Sequence, residues 1–384
     1  MKVSNKILSM PPSGIRAMFA MAEKYDDVIS FGLGDTAFPT PANVIRAAQQ
    51  AFEDGYTHYV SCQGLNVLRE AVAKKSREFN GIDCSGENVH IAFGAGAGLL
   101  LTFFTLVDPG DEVIVHAPCF PNYLQYIGMT GAVPVVVNTY EKDRFRVTPQ
   151  ALEAAITPRT RAILINSPCN PTGAILEKED LEKIAQVALK HDLVIVSDEP
   201  YETIIFDGKK HCSIASLPGM ADHVITVNSL SKTYAMTGWR IGYIIAPVAV
   251  REQMTLLQEA MGSNVTSAVQ VAAAEALNGP QDAVWEMARA YEKRRNILVD
   301  GLNSIKGISC LMPGGSFYAF ANIRETGMTS DALARMLLEK VQVVTTPGNA
   351  FGDCGEGYLR LVFAQEEATI EAGLARIRSV LGSK

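Results

Sequence analysis

The sequence has no Cys-x-x-Cys pair, no extended basic run and no apolar, leader-like stretch over Met1–Met10, and each absence shapes an expectation. Its seven cysteines, Cys62, Cys84, Cys119, Cys169, Cys212, Cys310 and Cys354, are scattered and odd in number. That usage fits neither a zinc site nor a disulfide framework and suits a reducing, cytoplasmic setting. Met1–Met10 lacks the apolar core of a signal peptide. Ile91–Val107 carries no charge, yet it is just short of a spanning length, and Gly94, Gly96 and Gly98 interrupt its first half. A buried strand turning into a buried helix is expected there, not a membrane span. The formal net charge of −7 disfavours nucleic acid and anionic membrane as partners.

What is present is an ordinary globular composition, 48% hydrophobic and 20% charged, over 384 residues, enough for two domains. Seven short β-rich runs are expected as strands: Val89–Phe93, Val113–His116, Val133–Val137, Ala162–Asn166, Val194–Asp198, Val224–Asn228 and Ile241–Ala246. Several are apolar on both faces, and helix-like segments such as Leu99–Val107, Pro121–Thr130 and Leu176–His191 lie between them. The last has acidic residues in its first turn and Lys190 and His191 in its last, as the helix dipole favours. The pattern predicts an α/β fold with a mainly parallel seven-stranded sheet sandwiched by helices. Beyond Ile245 the character changes. Helices at Val248–Leu257, Thr266–Leu277 and Gln281–Ile305 precede strand-like pieces at Ser316–Ala321, Val341–Thr345 and Tyr358–Phe363 and a last helix at Glu366–Leu381. This suggests a large domain over 42–285 and a smaller α+β domain from 286–384 plus a crossing segment, 1–41.

In an open α/β sheet, ligands bind beyond the carboxyl ends of the strands. Unusual residues collect on that edge. Gly94-Ala95-Gly96-Ala97-Gly98 opens a helix and can offer amides to a phosphate, or is simply a tight turn. Its spacing is not the dinucleotide G-x-G-x-x-G, which disfavours a nicotinamide enzyme. Phe120 is either a ring stacked on a cofactor or a core aromatic. Asn170, in Asn170-Pro171-Thr172-Gly173, either donates to a ligand oxygen or serves a turn whose Asn-Pro bond can be cis. Asp198 ends a buried strand, where a carboxylate needs a cation; a protonated ring nitrogen is one, an ion pair another. Tyr201 lies three residues on. Lys232 follows Ser229 and Ser231 and precedes Arg240, neighbours that suit a phosphate. A lysine that forms an imine must be partly neutral, which requires burial or nearby cations. Arg360 alternates with apolar residues, either as a clamp for a carboxylate or as a surface strand residue.

Taken together these motifs resemble the fold type I, class I/II aminotransferases. The likeness is close over Asn228–Gly242, including Lys232 and Arg240, and continues at Asn170–Gly173, Ser197–Tyr201, Pro347–Gly352 and Arg360. The resemblance implies pyridoxal 5′-phosphate held as a Schiff base on Lys232, and a ping-pong exchange between an L-amino acid and a 2-oxo acid. It further implies that Asp198 pairs with the pyridine nitrogen, Tyr201 and Asn170 reach the phenolic oxygen, and Phe120 stacks on the ring. Ala95, Gly96, Ser229, Ser231 and Arg240 would hold the phosphate. Arg360 would bind the substrate carboxylate with the backbone near Gly34 and with Asn170. Tyr59 would reach the phosphate of the neighbouring subunit, which implies a homodimer. Two departures bear on substrate. Gly34-Asp35-Thr36-Ala37 stands where the family often has Gly-Glu-Pro-Asp, and Gly96 stands where some aspartate-using relatives have lysine. A C–S β-lyase of the same fold would use the same residues and is the alternative. A DNA-binding regulator is disfavoured because the short segment ahead of the match has no helix-turn-helix pattern.

Overall fold

A computed structural model describes residues 1–8, 18 and 20–384, so the expected crossing segment lies partly outside the described residues, at 9–17 and 19. Short strand β1 (Ile29–Ser30) precedes seven strands that form one sheet. They are β2 (Val89–Ala92), β3 (Glu112–Ala117), β4 (Val133–Asn138), β5 (Thr160–Asn166), β6 (Val194–Asp198), β7 (Val224–Ser229) and β8 (Gly242–Ile245). Their order is β2-β8-β7-β6-β5-β3-β4. Strand β8 runs antiparallel to β2 and β7, and every other pairing is parallel. The expected mainly parallel seven-stranded sheet is present, each strand within two residues of its expected bounds.

The side-chain alternation of each strand explains why both faces carry helices. Val113 and Val115 of β3, with Leu164 and Val196, pack against Leu99, Phe103, Ile127 and Met254. Ile114, Ile163 and Ile195 point the other way, onto Leu181, Ile184 and Ala188. Beside β8, Tyr243 and Ile245 join Val44, Leu68 and Ala272 in a further core. Burying one such aliphatic side chain is worth about 1.5–3 kcal/mol, so three such cores hold the sheet firmly.

Toward the C-terminus come β9 (Ser309–Cys310), β10 (Tyr318–Asn322), β11 (Val343–Val344), β12 (Thr346–Pro347) and β13 (Tyr358–Val362). An antiparallel sheet, β12-β13-β10-β9, forms here, while β1 pairs in parallel with β11. The helices Asp282–Asn303 and Glu367–Leu381 bury Tyr291, Leu298, Leu302, Leu374 and Ile377 with this sheet. Core membership changes within one turn: Val284 packs with the large sheet and Met287 with the C-terminal sheet. Near the N-terminus, Phe31 packs with the C-terminal core and Val44 with the large-sheet core.

Some helices were not anticipated. Ser330–Val341 is α-helical, so the expected strand Val341–Thr345 shrinks to β11 and the start of β12. Thr329 caps it by accepting a hydrogen bond from the Ala332 amide, and Leu333, Leu337 and Leu338 are buried on one face. The helices Ala42–Glu53 and Asn66–Lys75 also lay outside the expected set. Among the described residues no helix is long and apolar enough to cross a membrane; Ile91–Val107 divides into β2 and the helix Gly94–Leu106.

Candidate active site

Strands β3, β5, β6 and β7 end on one edge of the sheet, and β8 begins there because it is antiparallel. The segments leaving that edge, with Gly34 from the segment after β1 and Arg360 from β13, enclose a cavity of about 350 Å³. Ala95, Gly96, Phe120, Asn170, Asp198, Tyr201, Ser229, Ser231 and Lys232 all line it, together with Arg240, Gly34 and Arg360. Tyr59 does not. It is 89% exposed on the stretch before the helix Asn66–Lys75.

Lys232 sits on the short helix Leu230–Thr233, whose first turn is capped by the Ser229 side chain. Its ammonium donates to the Gly34 carbonyl at 2.5 Å and lies 5.4 Å from the centre of the Phe317 ring. Burial lowers its pKa from 10.5 to about 8; the Asp35 carboxylate opposes the shift, and Arg360 and Arg240 add to it. A substantial neutral fraction near neutral pH is the state a nucleophilic lysine needs.

Asp198 closes β6 and is 5% exposed. Its Oδ2 accepts a 2.5 Å hydrogen bond from the Tyr123 hydroxyl, while Oδ1 has no partner among the described residues. Burial raises its pKa from 3.8 to about 7, the Tyr123 hydrogen bond holds it down, and Glu199 pushes it up. A cation facing Oδ1 would reverse that shift. Asn166 locks the surrounding backbone. Its amide side chain donates to the Asp198 carbonyl and its Oδ1 accepts from the Asn170 amide, both at 2.9 Å. The Asn166 backbone amide in turn donates to His116 Nε2, and burial lowers the His116 pKa to about 4, so the ring stays a neutral acceptor.

Arg360, on β13, is 2% exposed and not a surface residue. It donates to Asn170 Oδ1 at 3.0 Å and to the Gly32 carbonyl at 2.5 Å, and its Nε is unpaired among the described residues. The Tyr318 and Phe351 rings lie 4.7 and 4.8 Å from the guanidinium carbon. Tyr201 shares a 2.9 Å hydrogen bond with Tyr318, and burial holds its pKa well above the usual phenol value. Three cis bonds, Ala117-Pro118, Ser167-Pro168 and Asn170-Pro171, lie beside Phe120 and Asn170.

At the far end, the helix Gly94–Leu106 opens with no acidic residue and no side-chain cap, so its first amides are available to an anion. Gly242 lets β8 approach that turn: a Cβ there would stand 2.9 Å from the Ala95 nitrogen and 2.7 Å from the Asn228 oxygen. Arg240, with φ of 55°, turns its guanidinium to the Thr237 carbonyl at 2.8 Å, beside Gly94. Ser229 Oγ and Ser231 Oγ are 2.8 Å apart. Tyr123, Tyr126, Tyr318 and Thr237 also line the cavity and were not singled out from sequence. Tyr123 alone had a readable signal, lying three residues after Phe120 at the start of the helix Asn122–Thr130.

The arrangement pairs a carboxylate awaiting a cation, a depressed lysine, a guanidinium clamp and an anion cradle around one space. A family model described as "Aminotransferase class I and II" matches residues 26–377. The chain is 41% identical to aromatic-amino-acid aminotransferase 2 of Thermococcus litoralis, covering 100% of this chain and 99% of that protein. It is 40% identical to an aspartate aminotransferase of Pyrococcus abyssi over the same shares. Its fold matches the Thermus thermophilus aspartate aminotransferase solved with maleate at a TM-score of 0.94, with 36% identity over 99% of this chain and 100% of that one. Matched end to end to such relatives, the chain belongs to the class I and II aminotransferases, and it is a pyridoxal-phosphate-dependent aminotransferase rather than a C–S lyase.

Proposed function

We propose that Lys232 anchors pyridoxal 5′-phosphate, and that the enzyme prefers amino donors with apolar or aromatic side chains. The observation that carries the cofactor reading is Asp198, a residue of the cavity lining whose buried Oδ1 has no partner among the described residues, a carboxylate suited to a protonated ring nitrogen. When bound, the cofactor supplies the electron sink that makes the donor's α-proton removable. The chain's own groups do the rest. Lys232 Nζ, partly neutral near physiological pH, takes the α-proton and returns it at the other end of the transfer. Arg360 clamps the donor carboxylate, and Asn170 and Tyr201 face the phenolic oxygen, with Tyr201 kept protonated by burial. Phe120 covers the ring, and the amides of Ala95 and Gly96 with Ser229, Ser231 and Arg240 meet the phosphate.

The donor preference rests on charge. Among the described residues the cations lining the cavity are Lys232, Arg240 and Arg360, each already assigned, and Gly96 brings no side chain. Leu33 and Leu99 give an apolar stretch of wall, which suits an apolar or aromatic side chain. Stopped-flow half-reactions with phenylalanine, tyrosine, leucine, aspartate and glutamate test it. Phenylalanine or tyrosine should convert the visible cofactor band fastest; aspartate outpacing both overturns the preference. Retention of a borohydride-fixed chromophore by Lys232→Ala overturns the anchor.

The same reading includes a homodimer in which Tyr59 reaches the neighbouring site, supported by its 89% exposure on this chain. It includes a large domain over 42–285 and a small one from 286–384 with 1–41, supported by the change of core between Val284 and Met287. A cytoplasmic location is supported by seven unpaired cysteines.

A further inference from the structure

We propose that Tyr126 is a phosphate-anchoring residue, its hydroxyl donating to the cofactor phosphate in the space left by the missing side chain of Gly96. The inference rests on the cofactor reading above. Tyr126 lies on the helix Asn122–Thr130 and lines the cavity. Its hydroxyl oxygen stands 2.7 Å from where a Gly96 Cβ would be. In a helix the Cα–Cβ bond tilts toward the N-terminus, so that space lies on the open side of the helix Gly94–Leu106, with the first-turn amides. Any side chain at 96 would displace the hydroxyl, so the glycine and the tyrosine fit as a pair.

The hydrogen-bond directions decide what the hydroxyl can do. Asn122 Nδ2 donates to the Tyr126 oxygen at 3.3 Å, so the phenolic proton is free to be donated elsewhere. Burial raises the Tyr126 pKa, which keeps that proton in place across the working range. Other donors at this end are partly committed: Ser229 Oγ to Ser231 Oγ and the Ile241 carbonyl, and Arg240 Nη1 to the Thr237 carbonyl. A phosphate dianion has more acceptor sites than those groups and two amides fill, and a neutral phenol adds a donor without adding charge.

The test compares equilibrium binding of pyridoxal 5′-phosphate and of pyridoxal, which lacks the phosphate, to cofactor-free wild type, Tyr126→Phe and Gly96→Ala. Wild type should strongly prefer the phosphorylated form. Tyr126→Phe should weaken pyridoxal phosphate roughly tenfold or more, the scale of one hydrogen bond to a charged acceptor, and leave pyridoxal unchanged. Gly96→Ala, whose methyl pushes the hydroxyl aside, should show the same selective loss, and the phosphorus resonance of the bound cofactor should shift in both. An unchanged preference in both variants, or equal weakening of both ligands, overturns the role of Tyr126. So does a change confined to the kcat/KM ratio of phenylalanine to aspartate, which would make Tyr126 a reader of the donor. A wild type that binds both ligands equally would instead overturn the cofactor reading.

Discussion

The Tyr123 hydroxyl donates to one oxygen of Asp198 at 2.5 Å, and the other oxygen has no partner among the described residues. Without a facing cation, the folded carboxyl titrates near pH 7 rather than 3.8. Between those values the folded chain keeps a proton that the unfolded chain gives up, so stability falls as pH rises. Cofactor-free protein should therefore lose thermal stability from about pH 4 to pH 7, and Asp198→Asn should flatten that slope. Tyr123→Phe should cost about 1–3 kcal/mol at neutral pH and extend the falling range upward, because the hydrogen bond it removes favours the carboxylate. Thermal midpoints across pH 4–8 check all three; an Asp198→Asn slope equal to wild type contradicts the assignment.

Lys232 in the cofactor-free protein should react with an amine-modifying reagent with a half-maximal rate near pH 8, well below the 10.5 of a free lysine. Peptide mapping of the modified residue measures this directly. Lys232→Ala should reduce turnover by at least about a thousandfold, the scale of a positioned general base.

Arg360→Lys keeps the charge and loses the planar fork. Donor KM should rise roughly tenfold to a hundredfold, matching one or two lost charge-assisted hydrogen bonds. Because Arg360 also holds Asn170 Oδ1, cofactor affinity should weaken with it, and a titration of each ligand separates the two effects.

Gly242→Ala should destabilise the protein by about 1–3 kcal/mol and loosen cofactor binding, since the added methyl meets the Asn228 oxygen and the Ala95 nitrogen, backbone atoms with little room to move. Denaturant unfolding with and without cofactor gives both numbers. Full retention of each would mean that the turn adjusts freely.

Tyr59→Ala and Lys232→Ala chains, each impaired alone, should regain activity when refolded together at limiting cofactor. One site of a mixed dimer then combines an intact Lys232 with an intact Tyr59 from the neighbour. Absence of any recovery beyond the sum of the separate proteins argues against a shared site.

The sequence by itself determined the large sheet and the identity of most lining residues. Alternating apolar faces at Val113–Val115, Ile163–Ile165 and Ile195–Val196 leave one way to bury both sides, and the loops after those strands must then share an edge. Lys232, Asp198, Asn170 and Arg360 were legible from their convergence on that edge and from motifs that resemble the class I/II aminotransferases; local chemistry alone left each an ordinary structural reading. The helix Ser330–Val341 was also readable, from the Thr329 cap and its spaced leucines, but β-rich flanks masked it. Only the tertiary structure decided which oxygen of Asp198 is spoken for, that Arg360 is buried against Asn170, and that Tyr123, Tyr126 and Tyr318 face the same space. Those facts depend on side chains from distant segments meeting at hydrogen-bond distance. Local periodicity sets which face a residue occupies, and it carries no information about what lies opposite.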